Sequence, residues 1–243
     1  MPELTDFKVL TFDCYGTLID WETGIWNALQ PLLSAGGRVI GREEALAAFA
    51  RRETEQELQT PSLLYSTLLA VTHARLAQDW GIAAHADLHE RFGASVPDWP
   101  AFPDSAQALA YLKRHYRLVV LSNVDRRSFA GSNTKLGGLF DAVYTAEDVG
   151  SYKPDPRNFS YLIEHLSLQF GLEPADVLHT AQSLHHDHVP ASRIGLARAW
   201  IDRRAGKQGG ATLVVEGVPE PDFHFHSLDA LAEAHRRALG SQS

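Results

Sequence analysis

Asp13, Ser122, Asn123 and Lys153 stand at points of this chain where chemistry is expected. Asp13 closes a short apolar run, Phe7-Lys8-Val9-Leu10-Thr11-Phe12, and a turn at Gly16 follows it. Such a run reads as a buried strand. In an open parallel sheet, ligands sit outside the carboxyl ends of the strands. A carboxylate there meets a ligand or simply caps the turn. Ser122 and Asn123 end a second run, Arg117-Leu118-Val119-Val120-Leu121, so their side chains can face the same crevice. Lys153 lies in Ser151-Tyr152-Lys153-Pro154-Asp155-Pro156. Pro154 forces an extended residue before it and Pro156 can open a helix, which holds the lysine on a loop. Cys14, the single cysteine, adjoins Asp13, but strand alternation points it away and into packing.

The elements that must position these groups alternate. Further strands are expected at Asp141–Ala146, Asp176–Ala181 and Ala197–Asp202, with a short one at Asp222–His226. Helices are expected at Ser105–His115, Asp125–Leu136, Pro156–Gly171 and His186–Gly195, and after Ser227, a good N-cap. Gly209-Gly210 and Pro219-Glu220-Pro221 mark loops. This order predicts an α/β fold, a Rossmann-like parallel sheet with helices on both faces. Between Trp21 and Val96 the pattern is helical, with segments through Ile25–Leu33, Glu43–Glu57, Pro61–Leu76 and Asp87–Phe92. That reads as an inserted all-helical cap. Val96–Ser105, with its prolines, reads as the stiff return crossing. The expected division is a core of residues 1–17 and 101–243 and a cap of residues 18–100.

Composition narrows the classes. The net charge of −8 argues against a nucleic-acid partner. No apolar stretch is long enough to cross a bilayer and no signal peptide is visible, so no membrane partner is expected. A lone cysteine fits a reducing cytoplasm.

Asp13-Cys14-Tyr15-Gly16-Thr17 resembles the first motif of the haloacid dehalogenase superfamily, whose members use an aspartate nucleophile. Phosphatases of the superfamily carry a second Asp where this chain has Tyr15, so the resemblance is to the type II L-2-haloacid dehalogenase branch. Leu121-Ser122-Asn123 resembles the second motif, which implies that Ser122 binds the substrate carboxylate and Asn123 lies by the leaving group. Lys153-Pro154 resembles the third, in which the ammonium neutralises and orients the nucleophile. Asp187 aligns with the family's last acidic residue, which helps to activate the water that opens the ester. Arg51 aligns with the cap arginine that dehalogenases extend toward the halide. Tyr15, Trp21 and Gln182 are expected to face the substrate. The chain departs from the branch at Phe159, where a Tyr is common, and at Gln182 and Leu184, where Ser and Asn are usual.

The implied reaction is displacement at the α-carbon of a small 2-substituted carboxylate by Asp13, then hydrolysis of the aspartyl ester to a 2-hydroxy acid. Backbone N–H groups after Asp13 could help to bind the carboxylate. The runs Thr11–Gly24 and Ser183–Ala191 look like a subgroup that includes azetidine-2-carboxylate hydrolase, so ring opening of L-azetidine-2-carboxylate is the favoured expectation and (S)-2-haloacid dehalogenation the alternative. A Mg-dependent phosphatase, holding the ion through Asp13 and Asp187, and a non-catalytic binding protein are lesser readings. No cofactor and no metal are implied by the branch. His179, His185, His186 and His188 are not expected to converge on an ion. Related dehalogenases are often dimers, which implies a homodimer here.

Overall fold

The structure is a computed structural model that describes residues 2–37, 39–205, 217 and 219–241. Six strands form one parallel sheet: β1 (Val9–Phe12), β2 (Arg117–Ser122), β3 (Ala142–Thr145), β4 (Val177–Ala181), β5 (Ala197–Ile201) and β6 (Phe223–Phe225). Their order is β3-β2-β1-β4-β5-β6, so β1 lies inside, hydrogen-bonded to β2 and β4. Strand alternation sorts the core. Leu10, Phe12, Leu118 and Val120 join one apolar cluster, whereas Val9, Val119 and Leu121 join a second. The first is covered by α5 (Ser105–Leu112), α6 (Arg126–Lys135) and α10 (Leu228–Ser241), the second by α8 (Pro156–Phe170) and α9 (Val189–Arg193). Both faces are buried, as a parallel sheet requires.

Four helices lie between β1 and α5: α1 (Trp21–Gly36), α2 (Arg42–Gln59), α3 (Tyr65–Asp79) and α4 (Ala86–Gly93). They form the cap-like insert. The first core cluster runs on into them through Ile25, Leu29, Leu46, Phe49, Leu68 and Phe92. The crossings between insert and core are tied at Asp20 N–H to Pro100 O, 2.8 Å, and by Arg204 to Glu22, 2.6 Å. Trp99 packs so tightly on α1 that a Cβ at Gly24 would stand 2.3 Å from its ring.

Three local readings change. The third cap helix begins at Tyr65, because Thr60 N–H closes α2 on Gln56 O and Leu63 N–H closes a turn on Thr60 O. Residues 146–149, expected in part as strand end, form a short helix, α7 (Ala146–Val149), nucleated by a reciprocal cap between Thr145 and Asp148. The helix expected from His186 begins instead as one wide turn over Leu184–His188, with His188 N–H bonded to Ser183 O. The expected loop at Gly209-Gly210 lies outside the described residues. No helix among the described residues is long and apolar enough to cross a membrane.

Candidate active site

Asp13 follows β1, Asn123 follows β2 and Asp187 sits in the wide turn after β4. All three therefore meet at the carboxyl ends of adjacent central strands. Lys153 reaches them from the loop before α8. Its ammonium lies 3.0 Å from Asp13 Oδ1, 2.7 Å from Asp187 Oδ1 and 2.9 Å from Leu121 O. Those three acceptors use its three N–H donors. The loop that carries Lys153 is clamped by Asn123, whose Oδ1 accepts the Lys153 N–H at 2.6 Å and whose Nδ2 donates to Lys153 O at 3.0 Å.

Asp13 Oδ2 accepts from Thr17 Oγ1 at 2.7 Å, and Thr17 Oγ1 in turn accepts the Gln182 N–H at 2.9 Å. The nucleophile candidate is thus fixed through both oxygens. Asp187 Oδ1 also faces His179 Nε2 at 3.0 Å, while Nδ1 of that ring pairs with Thr11 Oγ1 at 2.9 Å. Asp187 Oδ2 is buried with no partner among the described residues. Phe159 stands edge-on to His179, ring centres 5.0 Å apart, where it contributes packing and no hydrogen bond. The turn after Asp13 spends its Gly16 and Thr17 N–H groups internally, on Ile19 O and Cys14 O. Those two are not available to a substrate carboxylate.

Burial is the main force on these groups. It raises the Asp13 carboxyl above its ordinary 3.8, more than the Lys153 ammonium lowers it, and the Asp187 charge adds to the rise. Burial also opposes the charge on Asp187, but Lys153 and His179 overcome it and hold that carboxyl below the carboxylate range. Lys153 is disfavoured by burial and rescued by both carboxylates, which hold it above 10.5. Burial pushes the Cys14 thiol well up; it is a packed, inert group.

A cleft of about 100 Å³ opens above these residues. Its walls include Asp13, Tyr15, Trp21, Asn123, Lys153, Gln182 and Asp187, so seven expected site residues are brought together. Tyr15 is anchored by Ser132 at 2.9 Å. Trp21 opens α1 and leans on Phe49, ring centres 6.1 Å apart. Ser122 does not line the cleft; its hydroxyl is buried with no partner among the described residues.

Arg51 does not line it either. The cap wall is built by Ala50, Glu53, Thr54 and Glu57, one stripe of α2 at helical spacing. Arg51 falls off that stripe and is exposed. Arg52 is turned to Asp79 at 2.6 Å and Glu55 at 2.7 Å. The expected arginine is thereby corrected to a pair of acids, with Tyr65 Oη donating to Glu53 at 2.6 Å. Sequence reading also missed Thr17 and His179 as supports. The hydroxyl four residues after Asp13 was the only signal for the first; nothing local marked the second.

The four histidines do not converge. His179 is engaged by Thr11 and Asp187, and His188 by Ala181 O at 3.0 Å. His186 lines the cleft, held neutral by burial with a pKa of about 4. Among the described residues, the one close grouping of ligand-type side chains is Asp202, His224 and His226 at the sheet's outer strand.

The model of the haloacid dehalogenase-like hydrolases matches residues 7–180. (S)-2-haloacid dehalogenase 4A of Burkholderia cepacia is 25% identical, over 93% of this chain and 92% of its own. The crystal structure of an L-2-haloacid dehalogenase superposes with a TM-score of 0.78 at 24% identity, covering 97% of this chain and 99% of the other. That of the L-2-haloacid dehalogenase of Xanthobacter autotrophicus with chloropropionic acid covalently bound gives 0.75 at 20% identity, with 95% and 98% covered. With the parallel sheet, the helical insert and Asp13 after the first strand, the match over residues 7–180 makes this chain a member of the haloacid dehalogenase-like hydrolases.

Proposed function

We propose that the protein hydrolyses a bond at the α-carbon of a small 2-substituted carboxylate through an ester on Asp13, releasing a 2-hydroxy acid. The observation that carries this is the Asp13–Lys153–Asp187 arrangement with Tyr15, not an acid, two residues after Asp13. A phosphoryl-transfer enzyme of this family needs a proton donor there; displacement at carbon does not. Asp13 attacks the α-carbon and the leaving group departs with the bonding pair. Water then adds to the aspartyl carbonyl. The unpartnered Oδ2 of Asp187 is the group suited to hold that water, with His179 and Lys153 fixing the other oxygen. Lys153, Asp13 and Asp187 are all buried, which strengthens the contacts of that ammonium.

For the leaving group, the relatives back the alternative, (S)-2-haloacid dehalogenation, better than the favoured expectation of L-azetidine-2-carboxylate ring opening. The relatives named (S)-2-haloacid dehalogenases support a halide. The runs Thr11–Gly24 and Ser183–Ala191 support the ring nitrogen of L-azetidine-2-carboxylate, and so does the absence of arginine from the described cleft walls. The buried Cys14 fits work in a reducing cytoplasm. The test is single-turnover hydrolysis in ¹⁸O-water with 2-chloropropanoate and with azetidine-2-carboxylate. Label entering Asp13 supports the ester route, and the compound that reacts identifies the leaving group. No turnover of either and no label in Asp13 overturns the proposal.

A further inference from the structure

The cleft holds more negative groups than one lysine can balance. Asp13, Asp187, Glu53 and Glu57 line it, and Lys153 is the sole lysine or arginine among its described wall residues. All three donors of that ammonium are taken by Asp13, Asp187 and Leu121 O. Glu53 has a phenol for a partner, Tyr65, and Glu57 has the amide of Asn123. Glu53 and Glu57 are half-buried on the cleft wall, and carboxylates drawn out of water are ordinarily paired with a cation. Here the cap's own arginines are turned elsewhere. Burial accordingly raises Glu53 to about 7 and, with Glu53 beside it, Glu57 well above its usual range.

We propose that Glu53 and Glu57 form a subsite for a cationic nitrogen carried by the leaving group, so that the substrates are small 2-ammonio-type carboxylates with a strained or activated C–N bond. This rests on the α-carbon reading above and narrows it. Displacement requires the nucleophile, the α-carbon and the leaving atom in line. With Asp13 on the core side of the cleft, the leaving atom departs toward the facing α2 stripe. A halide would be expelled toward two acids. A ring ammonium would be held by them.

The step balances. The nitrogen enters as a secondary ammonium; the bond from Asp13 to the α-carbon forms as the C–N bond breaks, and the nitrogen takes the electron pair. It remains on the product chain as a neutral primary amine and receives a proton from the protonated cap acid. Water then cleaves the acyl–oxygen bond of the ester, which restores the Asp13 carboxylate. The proton this releases returns to the cap acid, and the product leaves as an amino-2-hydroxy acid.

The experiment measures affinity, so it does not depend on turnover. Titration calorimetry on the intact protein compares 4-amino-2-hydroxybutanoate with 2-hydroxybutanoate, which lacks the amine. The wild type is expected to bind the amine-bearing acid more tightly and to release protons on doing so near pH 7. The titrating and charged groups that face the pair or share its cleft are Tyr65 and Tyr152 from the neighbouring elements, Lys153 from the loop, Asp13 and Tyr15 after β1, and His186 and Asp187 from the wide turn. Glu57→Gln and Glu53→Gln should each reduce the amine preference by roughly 10-fold, between the scales of exposed and buried charge pairs. An equal affinity for the two acids in the wild type, or a preference that survives both substitutions, overturns the subsite. If a variant fails to fold, the wild-type comparison and its proton release decide alone. Failure of the ester route shows separately, as missing ¹⁸O in Asp13.

Discussion

Asp187 receives the Lys153 ammonium on Oδ1 at 2.7 Å and leaves Oδ2 buried without a partner among the described residues. One carboxylate oxygen is thus fixed by the ammonium and His179, and the other is not. The same ammonium reaches Asp13 at 3.0 Å, so two acids that would repel each other are held over one cation. The arrangement concentrates the consequences of mutation in a few atoms.

Asp13→Asn removes the nucleophile while keeping its shape. Turnover should fall at least about 10³-fold, the scale on which enzymes lose rate with a covalent nucleophile. Intact-mass measurement after mixing with substrate should show no adduct. Retained turnover would remove Asp13 from the reaction.

Lys153→Met should destabilise the protein by about 3–5 kcal/mol, since it leaves Asp13 and Asp187 buried without their cation. Urea unfolding measures this directly. A loss under 1 kcal/mol would mean that water reaches the site freely.

Thr17→Val deletes the donor to Asp13 Oδ2 and the acceptor of the Gln182 N–H together. A stability cost of about 1–3 kcal/mol is expected from the orphaned N–H. The rate should fall as well, because Asp13 loses one of its two fixing contacts. Unchanged kcat with lowered stability would make Thr17 purely structural.

The acid side of the pH–rate profile follows from Asp13. Its carboxyl is raised, so it must lose its proton above 3.8 before it can attack, and kcat/KM should rise with pH through that higher value. Lys153 is held above 10.5 and gives no alkaline fall below that. For stability Asp187 acts with one sign and the raised acids Asp13, Glu53 and Glu57 with the other, since a carboxyl raised on folding costs stability as pH rises past its unfolded value. The folded pKa of Asp187 is depressed, so its contribution is complete above its unfolded value and lost as pH falls through the folded one. A limb that falls only below 3.8 would contradict the raised Asp13.

Gly24→Ala tests the seat of the cap. The added methyl would meet Trp99 at 2.3 Å, so α1 or the return crossing must shift. The expected cost is about 1–3 kcal/mol, read as a lowered denaturation midpoint.

The sheet was legible because buried parallel strands are short apolar runs, clearest in β1 and β2, and the helical patterns between the strands alternate with them. Asp13 and Lys153 were legible because a strand end and a pair of prolines fix where they lie. The cap wall was not. Around Arg51 the helix reads Arg-Arg-Glu-Thr-Glu-Gln-Glu, charged on every side, so no apolar stripe announced which face turns inward. The inward stripe is carried by acids whose burial becomes visible only when the helix is packed. His179 was hidden for another reason: its role depends on Asp187, eight residues on, and on Thr11 of the neighbouring strand.

The α2 stripe is covalently remote from the ester-forming groups. Asp13, Lys153 and Asp187 belong to the sheet ends, whereas positions 50, 53, 54 and 57 belong to one surface of one helix. Bond making and the choice of departing group are therefore separately heritable. A few substitutions on that surface could exchange one class of substrate for another and leave the hydrolytic machinery intact. On this view the fold is a fixed engine with an interchangeable selector, and cap libraries limited to four codons are the economical way to redirect it.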